Sequence, residues 1–240
     1  MSEPSETGRA YRAVMEPGGL TCFTLKIGQS DLYVCALRDL AGEAAESLAA
    51  YRAELERYLA AHPSFGASFK PVPAASGAPE IVKDMAQAAG MFDVGPMASV
   101  AGAVAQHVGT DLLASSAQVV VENGGDIFLA GGGPRRVRVF AGAGSRDVDI
   151  IVEDSAAGIG VCTSSATVGP SVSFGAADAV TVVAGTATIA DAAATAIGNS
   201  VLTPDDIAAG LEMAASFEQV DGVVIMLQGS VGAWGKVEIA

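Results

Sequence analysis

Val119-Val120-Val121-Glu122-Asn123-Gly124-Gly125-Asp126-Ile127 decides how this chain is organised. A β-branched run over 118–122 stops at Asn-Gly-Gly-Asp and resumes as the apolar Ile127-Phe128-Leu129, the pattern of two strands and a connection. Two glycines after a strand let the backbone take positive φ and approach a ligand with no Cβ in the way. Backbone N–H groups exposed by such a turn suit phosphate or carbonyl oxygens. Asn-Gly is equally the corner of a β-hairpin. Both readings stand on these residues alone.

Upstream, Gly95 to Ala114 predicts a helix made almost wholly of small residues, among them Ala98, Ala101, Gly102, Ala103 and Ala105. Small residues let a helix approach its neighbours closely, so this helix is expected at the centre. Before it, Leu40, Ala44, Leu48, Tyr51, Leu55 and Tyr58 recur on one face of a helix over 40–61. A proline-rich loop follows, with a short helix from Ala78-Pro79-Glu80 to Ala89. Residues 20–27 and 31–37 read as a hairpin, and residues 1–10 as a polar tail. Downstream, strands are expected at 137–141, 148–152, 179–184, 223–227 and 231–239. A second small-residue helix spans Ile189 to Ser200, and Thr203-Pro204-Asp205-Asp206 opens another with a cap, a proline at the first helical position and acids at the positive end. The alternation predicts an α/β protein, and no composition break divides 11–240 into two domains.

Half of the 240 residues are hydrophobic and 17% are charged, which excludes a disordered chain. The net charge of −14 repels phosphate backbones and anionic lipid, so nucleic acid and membrane surfaces are poor partners. The scattered Cys22, Cys35 and Cys162 read as free buried thiols. With no basic-then-apolar leader, and with the longest chargeless run, Ser155 to Ala177, broken by glycines and Pro170, the expected location is the cytoplasm.

Between Ser155 and Pro204 only Asp178 and Asp191 carry charge. An acid isolated in so apolar a stretch is tied into backbone hydrogen bonds or holds something positive. Asp191 and Thr195, four apart, share one helical face and offer two hard oxygens of the kind Mg2+ takes. The competing reading is a capping box, with Thr188 as cap and Asp191 bonding back to it. Gly158 to Gly169, with Thr163, Ser164 and Ser165, reads as a donor-rich loop. His62 and His107 are the only histidines, and neither sits where it would serve a Cys162 or Ser164 nucleophile.

Taken in order, Gly124-Gly125-Asp126, Thr163-Ser164-Ser165 and Ala190-Asp191-Ala-Ala-Ala-Thr195-Ala resemble the ApbE superfamily, the FAD:protein FMN transferases. The likeness to its uncharacterised ApbE-like branch is closer, and includes Val94-Gly95-Pro96-Met97-Ala98, Val121 to Ile127 and Ser173-Phe174-Gly175-Ala-Ala-Asp178. The resemblance implies an α/β (α+β) fold, with antiparallel sheet packed around central small-residue helices. It implies Mg2+ held in part by Asp191 and Thr195, and FAD as ligand or substrate, with Asn123, Gly124, Gly125, Asp126, Thr163, Ser164, Ser165 and Asp178 around it. The implied reaction is FMN transfer to a protein threonine or hydrolysis of the FAD pyrophosphate. One departure stands out. The transferases carry His-x-x-Asp-Pro-x-Thr-Gly between the last two motifs, whereas here Val168 to Asp178 has no histidine and keeps only Asp178.

Three functions follow from these residues. The first is a Mg2+-dependent enzyme acting on FAD. The second is a protein that binds a flavin, nucleotide or other small ligand without turnover. The third is a structural or partner-binding role, in which the motifs are caps and turns and the small-residue helices serve packing, within the chain or across a homo-oligomer interface.

Overall fold

The computed structural model describes residues 12, 18–142, 146–167 and 173–240; the polar tail lies outside them. Strands β1 (Thr21–Ile27) and β2 (Ser30–Ala36) form the expected hairpin. Helix α1 (Ala41–Ala61) buries Ala44, Leu48, Leu55 and Tyr58, the stripe its periodicity predicts. The proline-rich stretch contains a short helix, α2 (Pro63–Ala67), and α3 (Glu80–Phe92) runs one turn beyond Ala89. The small-residue helix is broken into a 3-10 turn (Pro96–Ser99) and α4 (Val100–Leu112).

Strands β3 (Val119–Asn123) and β4 (Asp126–Ala130) follow, then β5 (Pro134–Val139), β6 (Val148–Glu153), β7 (Ile159–Ser164) and β8 (Ala179–Ala184). Helix α5 (Ala187–Ser200), a 3-10 turn (Pro204–Asp206), α6 (Ile207–Ala215), β9 (Val220–Leu227), β10 (Ser230–Gly235) and β11 (Glu238–Ile239) complete the order. Thr203 caps as Thr-Pro-Asp-Asp predicts, and Asp206 bonds back to it to close a reciprocal capping box.

Eight strands form one antiparallel sheet in the order β1-β2-β3-β4-β7-β8-β9-β10, and β11-β6-β5 form a small second sheet. The helices cover one face of the large sheet, where Val121, Phe128, Cys162, Val182 and Ile225 meet α4 and α5. The small sheet covers part of the other face, where Ile150 and Val152 pack on Ile127, Val161 and Met226. β8 lies between both layers and is buried at every position, which explains its unbroken apolar run.

Two expectations need correction. Ile159–Ser164, read as part of a loop, is a central strand. Its glycine is there because α5 lies directly on it: a Cβ on Gly160 would run into the Ala187 backbone. Cys22 and Cys35 are not free thiols. The hairpin register sets them opposite each other and they form a disulfide, leaving Cys162 as the buried free thiol. The small-residue faces of α4 and α5 are spent on each other within the chain, where a Cβ on Gly102 would strike the Ala187 carbonyl. Among the described residues no single helix is long and apolar enough to cross a membrane.

Candidate functional site

The Asn123-Gly124-Gly125-Asp126 connection is a two-residue hairpin, with Asn123 paired to Asp126 and φ of 71° and 109° at the glycines. Positive φ at both corners is the primed turn that matches strand twist, and glycine adopts it without strain. Strand alternation then sends Asn123 and Asp126 to the helix-covered face. Asn123 donates its amide to the Ala101 carbonyl at 3.1 Å, fastening the hairpin to the first turn of α4. Asp126 is buried opposite Cys162 of β7.

From above, α5 contributes Asp191. Its Oδ2 accepts the Gly102 N–H at 2.8 Å, so the carboxylate sits at the positive end of α4. The carboxylate is thus tied to backbone, as one reading of an isolated acid expects, but not in the capping box with Thr188. The cap of α5 is Thr186, whose side chain accepts the Ile189 N–H, and Asp191 caps the neighbouring helix instead of its own. One turn on, Thr195 donates to the Ala98 carbonyl at 3.4 Å. The hairpin, β7, the start of α4 and the middle of α5 thus bring Asn123, Asp126, Cys162, Asp191 and Thr195 together.

These groups are electrostatically strained. Burial pushes the Asp126 carboxyl up to about 7, Glu122 adding to it, while hydrogen bonds from the Cys162 side chain and the Thr163 N–H work the other way. Burial likewise raises Asp191 well above the carboxylate range, helped by the charge of Asp126 and opposed by the Gly102 and Ala101 amides. The Cys162 thiol is raised by burial and by both acids, so it is a poor nucleophile. Asp126 Oδ1 is buried without a partner among the described residues.

An acid whose folded pKa lies above its unfolded value binds more protons when folded, so its effect on stability worsens as pH rises between the two. Asp126 therefore leaves folding unpenalised below its ordinary 3.8 and costs stability increasingly up to about 7. In metal-free buffer, Asp126→Asn is expected to melt progressively higher than the wild type as pH rises across that window. A gap in melting temperature that does not widen with pH contradicts the assignment.

The other expected residues are placed apart from this cluster. Thr163 points to the opposite face, its hydroxyl 2.8 Å from that of Thr181. Ser164 faces α5 near Gly198. Ser165 donates to the Asp178 carbonyl at 2.6 Å, and the Asp178 carboxylate accepts the Gln228 N–H at 2.7 Å. The Gly125 N–H is taken by Glu122 Oε1 at 2.9 Å. Glu122, with Arg12, escaped the sequence reading. Arg12 Nε donates to Glu122 Oε2 at 2.7 Å and its Nη1 to Asp31 at 2.6 Å, which braces the hairpin from the far face. An acid just before Asn-Gly-Gly is a weak signal, and an arginine 110 residues away gives none.

This arrangement, an antiparallel sheet with small-residue helices laid on it, is an ApbE-type fold. The flavin transferase ApbE from Vibrio cholerae superposes with a TM-score of 0.62 at 13% identity, over 90% of this chain and 96% of that one. The Pseudomonas stutzeri flavinyl transferase ApbE gives 0.59 at 16%, over 90% and 93%. A family model described as AbpE bacteria matches residues 12–233, and the chain belongs to that family. A UPF0280 protein of Methanosphaerula palustris is 46% identical over 197 residues, 81% of each chain. One of Methanocaldococcus jannaschii is 43% identical over 202 residues, covering 81% of this chain and 82% of that one.

Proposed function

We propose that this protein binds FAD, or a related nucleotide pyrophosphate, together with Mg2+, and that it transfers FMN or hydrolyses the FAD pyrophosphate. In this reading residues 11–240 act as one cytoplasmic domain. The observation that carries it is the approach of Asp126 and Asp191, two desolvated acids, with Asp126 Oδ1 lacking a protein partner among the described residues. A cation is what such a pair lacks. The names of the solved neighbours, flavin transferases, support a flavin as the ligand.

The donors fit Mg2+ in kind and number. Asp191 and Thr195 would hold the ion, with the Ala98 carbonyl beside Thr195 as a third hard oxygen. Among the described residues no three of His, Cys, Asp and Glu gather to cage a metal, and Mg2+ commonly relies on one or two carboxylates and the phosphates of its ligand. When bound, Mg2+ neutralises the charge that builds on a pyrophosphate as its bond breaks. The chain's own residues orient and exclude. The Gly102 amide fixes the Asp191 carboxylate, Asn123 holds the hairpin to α4, and Gly124 leaves the corner bare for the ligand. Asp126 would add negative charge beside the ion once a bound cation favours its ionised form. Ser164, which faces α5, would shape the neighbouring wall, and Thr163, Ser165 and Asp178 would serve it indirectly, by holding β7 and the segment before β8 in place.

The second reading, a protein that holds flavin without turnover, is favoured by one feature. The Val168 to Asp178 interval lacks histidine, and the carboxylate of Asp178 is already engaged by Gln228. Incubating the protein with FAD, with Mg2+ or with chelator, and following FMN and AMP by chromatography separates the two. Metal-dependent FMN release is the expected result. FAD that raises the melting temperature yet stays intact, with no FMN passed to protein, supports the binding protein. FAD that neither reacts nor stabilises removes both.

A further inference from the structure

A cavity of about 330 Å3 opens between α1, α3, α4 and the first turn of α5. That is the small end of ligand-site volumes, with room for a one- or two-ring molecule and not for a dinucleotide. The tight contact of α4 with α5 at Gly102 and Ala187 stands between it and the Asp126–Asp191 site. One wall is aromatic: the Tyr51 and His107 rings lie 4.9 Å apart, tilted by 57°, and Met91 adds apolar surface.

The polar groups around this cavity fall into two sets. Some are consumed by the fold. Gln106 Oε1 accepts the Ala187 N–H, Thr110 donates to the Gln106 carbonyl, and Tyr51 donates to Asp111. Others are left over. Thr188 lines the cavity, is only 3% exposed, and its hydroxyl has no partner among the described residues. Asp84 gives one oxygen to His107 Nε2 at 2.8 Å, and its second oxygen has no hydrogen bond among the described residues. A buried hydroxyl without a partner is costly, and because Thr188 borders the cavity, a polar group bound there would satisfy it.

We propose that this cavity binds a small planar amino-heterocycle of the adenine type. The ring lies against the Tyr51–His107 wall. Its exocyclic amine donates to Asp84, and a ring nitrogen accepts from the Thr188 hydroxyl. Asp84, nearby Asp111 and the net charge of −14 select against anions, so the base and not a phosphate is what the site reads. The inference does not depend on Mg2+ or on FAD turnover.

Adenine, hypoxanthine and purine are the probes, in metal-free buffer, read by thermal shift and by the ring signals of His107. The chain has only two histidines, so His107 is readily followed by NMR. Adenine is expected to raise the melting temperature and shift the His107 signals. Hypoxanthine, which presents a carbonyl to the Asp84 carboxylate, binds about tenfold more weakly or not at all. Thr188→Val, of similar volume, loses about tenfold in adenine affinity without melting lower. Asp84→Asn, at a partly exposed side chain, narrows the gap between adenine and hypoxanthine and serves as the second variant if Thr188→Val fails to fold. Asp191→Asn leaves adenine binding unchanged. Equal binding of the three probes, no binding at millimolar concentration, or unaltered adenine affinity in a folded Thr188→Val overturns the proposal. Loss of adenine binding in Asp191→Asn also overturns it, by moving the base to the acid pair.

Discussion

Asp191→Asn is expected to lower metal-dependent FAD turnover by about a hundredfold or more while leaving the protein folded. The substitution keeps an oxygen able to accept the Gly102 N–H, which Asp191 now takes at 2.8 Å, so the tie between α5 and α4 survives. It removes the ability to ionise onto a cation, and with it the strongest ligand the α5 face offers one. The same change relieves repulsion, because the charge of Asp126 and desolvation both disfavour ionised Asp191. Without metal the variant should therefore melt at or above the wild-type temperature, and Mg2+ should stabilise it less. Turnover and melting curves are measured side by side. A variant that melts lower and turns over normally would make Asp191 a helix cap and nothing more.

The largest loss of stability is expected from Phe128→Ala, about 3–5 kcal/mol out of a typical total of about 5–15 kcal/mol. Phe128 is fully buried on β4, and glycines flank its ring. A Cβ on Gly109 of α4 or on Gly158 would run into it. With backbone already drawn up to the ring on both sides, little can move in to fill the space, which is where cavity terms are greatest. Phe128 is two residues from Asp126 on the same face of the strand, so α4 should loosen over the hairpin as well, and FAD or Mg2+ should stabilise the variant less than the wild type. Denaturant unfolding gives the number. A loss under about 1 kcal/mol would mean that α4 settles into the gap.

How far the site could be read from sequence depends on the distance over which each residue acts. Asp191 and Thr195 were legible as a pair because four residues is one helical turn. The hairpin at Asn123-Gly124-Gly125-Asp126 was legible because Asn-Gly requires a particular backbone. That the charge of Asp126 bears on Asp191 was not, since they belong to a strand and a helix 65 residues apart (191 − 126). The resemblance pointed to both acids, and their mutual charge, the Asp191–Gly102 bond and the unsatisfied Asp126 oxygen appear only once α4 and α5 lie on the sheet.

By itself the sequence determined what nearest neighbours decide: the apolar stripe of α1, the Thr203–Asp206 cap, the glycine corners, and two helices whose small side chains require close packing. Tertiary structure alone decided that Ile159–Ser164 is a buried strand, that Cys22 meets Cys35, that Arg12 reaches Glu122, and that Thr188 lines a cavity with Asp84 and His107. The physical reason is one of range. Caps, turns and periodic faces are settled by backbone torsions and contacts a few residues apart, whereas strand register, helix contact and the desolvation of a carboxylate are settled by whatever distant segment packs on top.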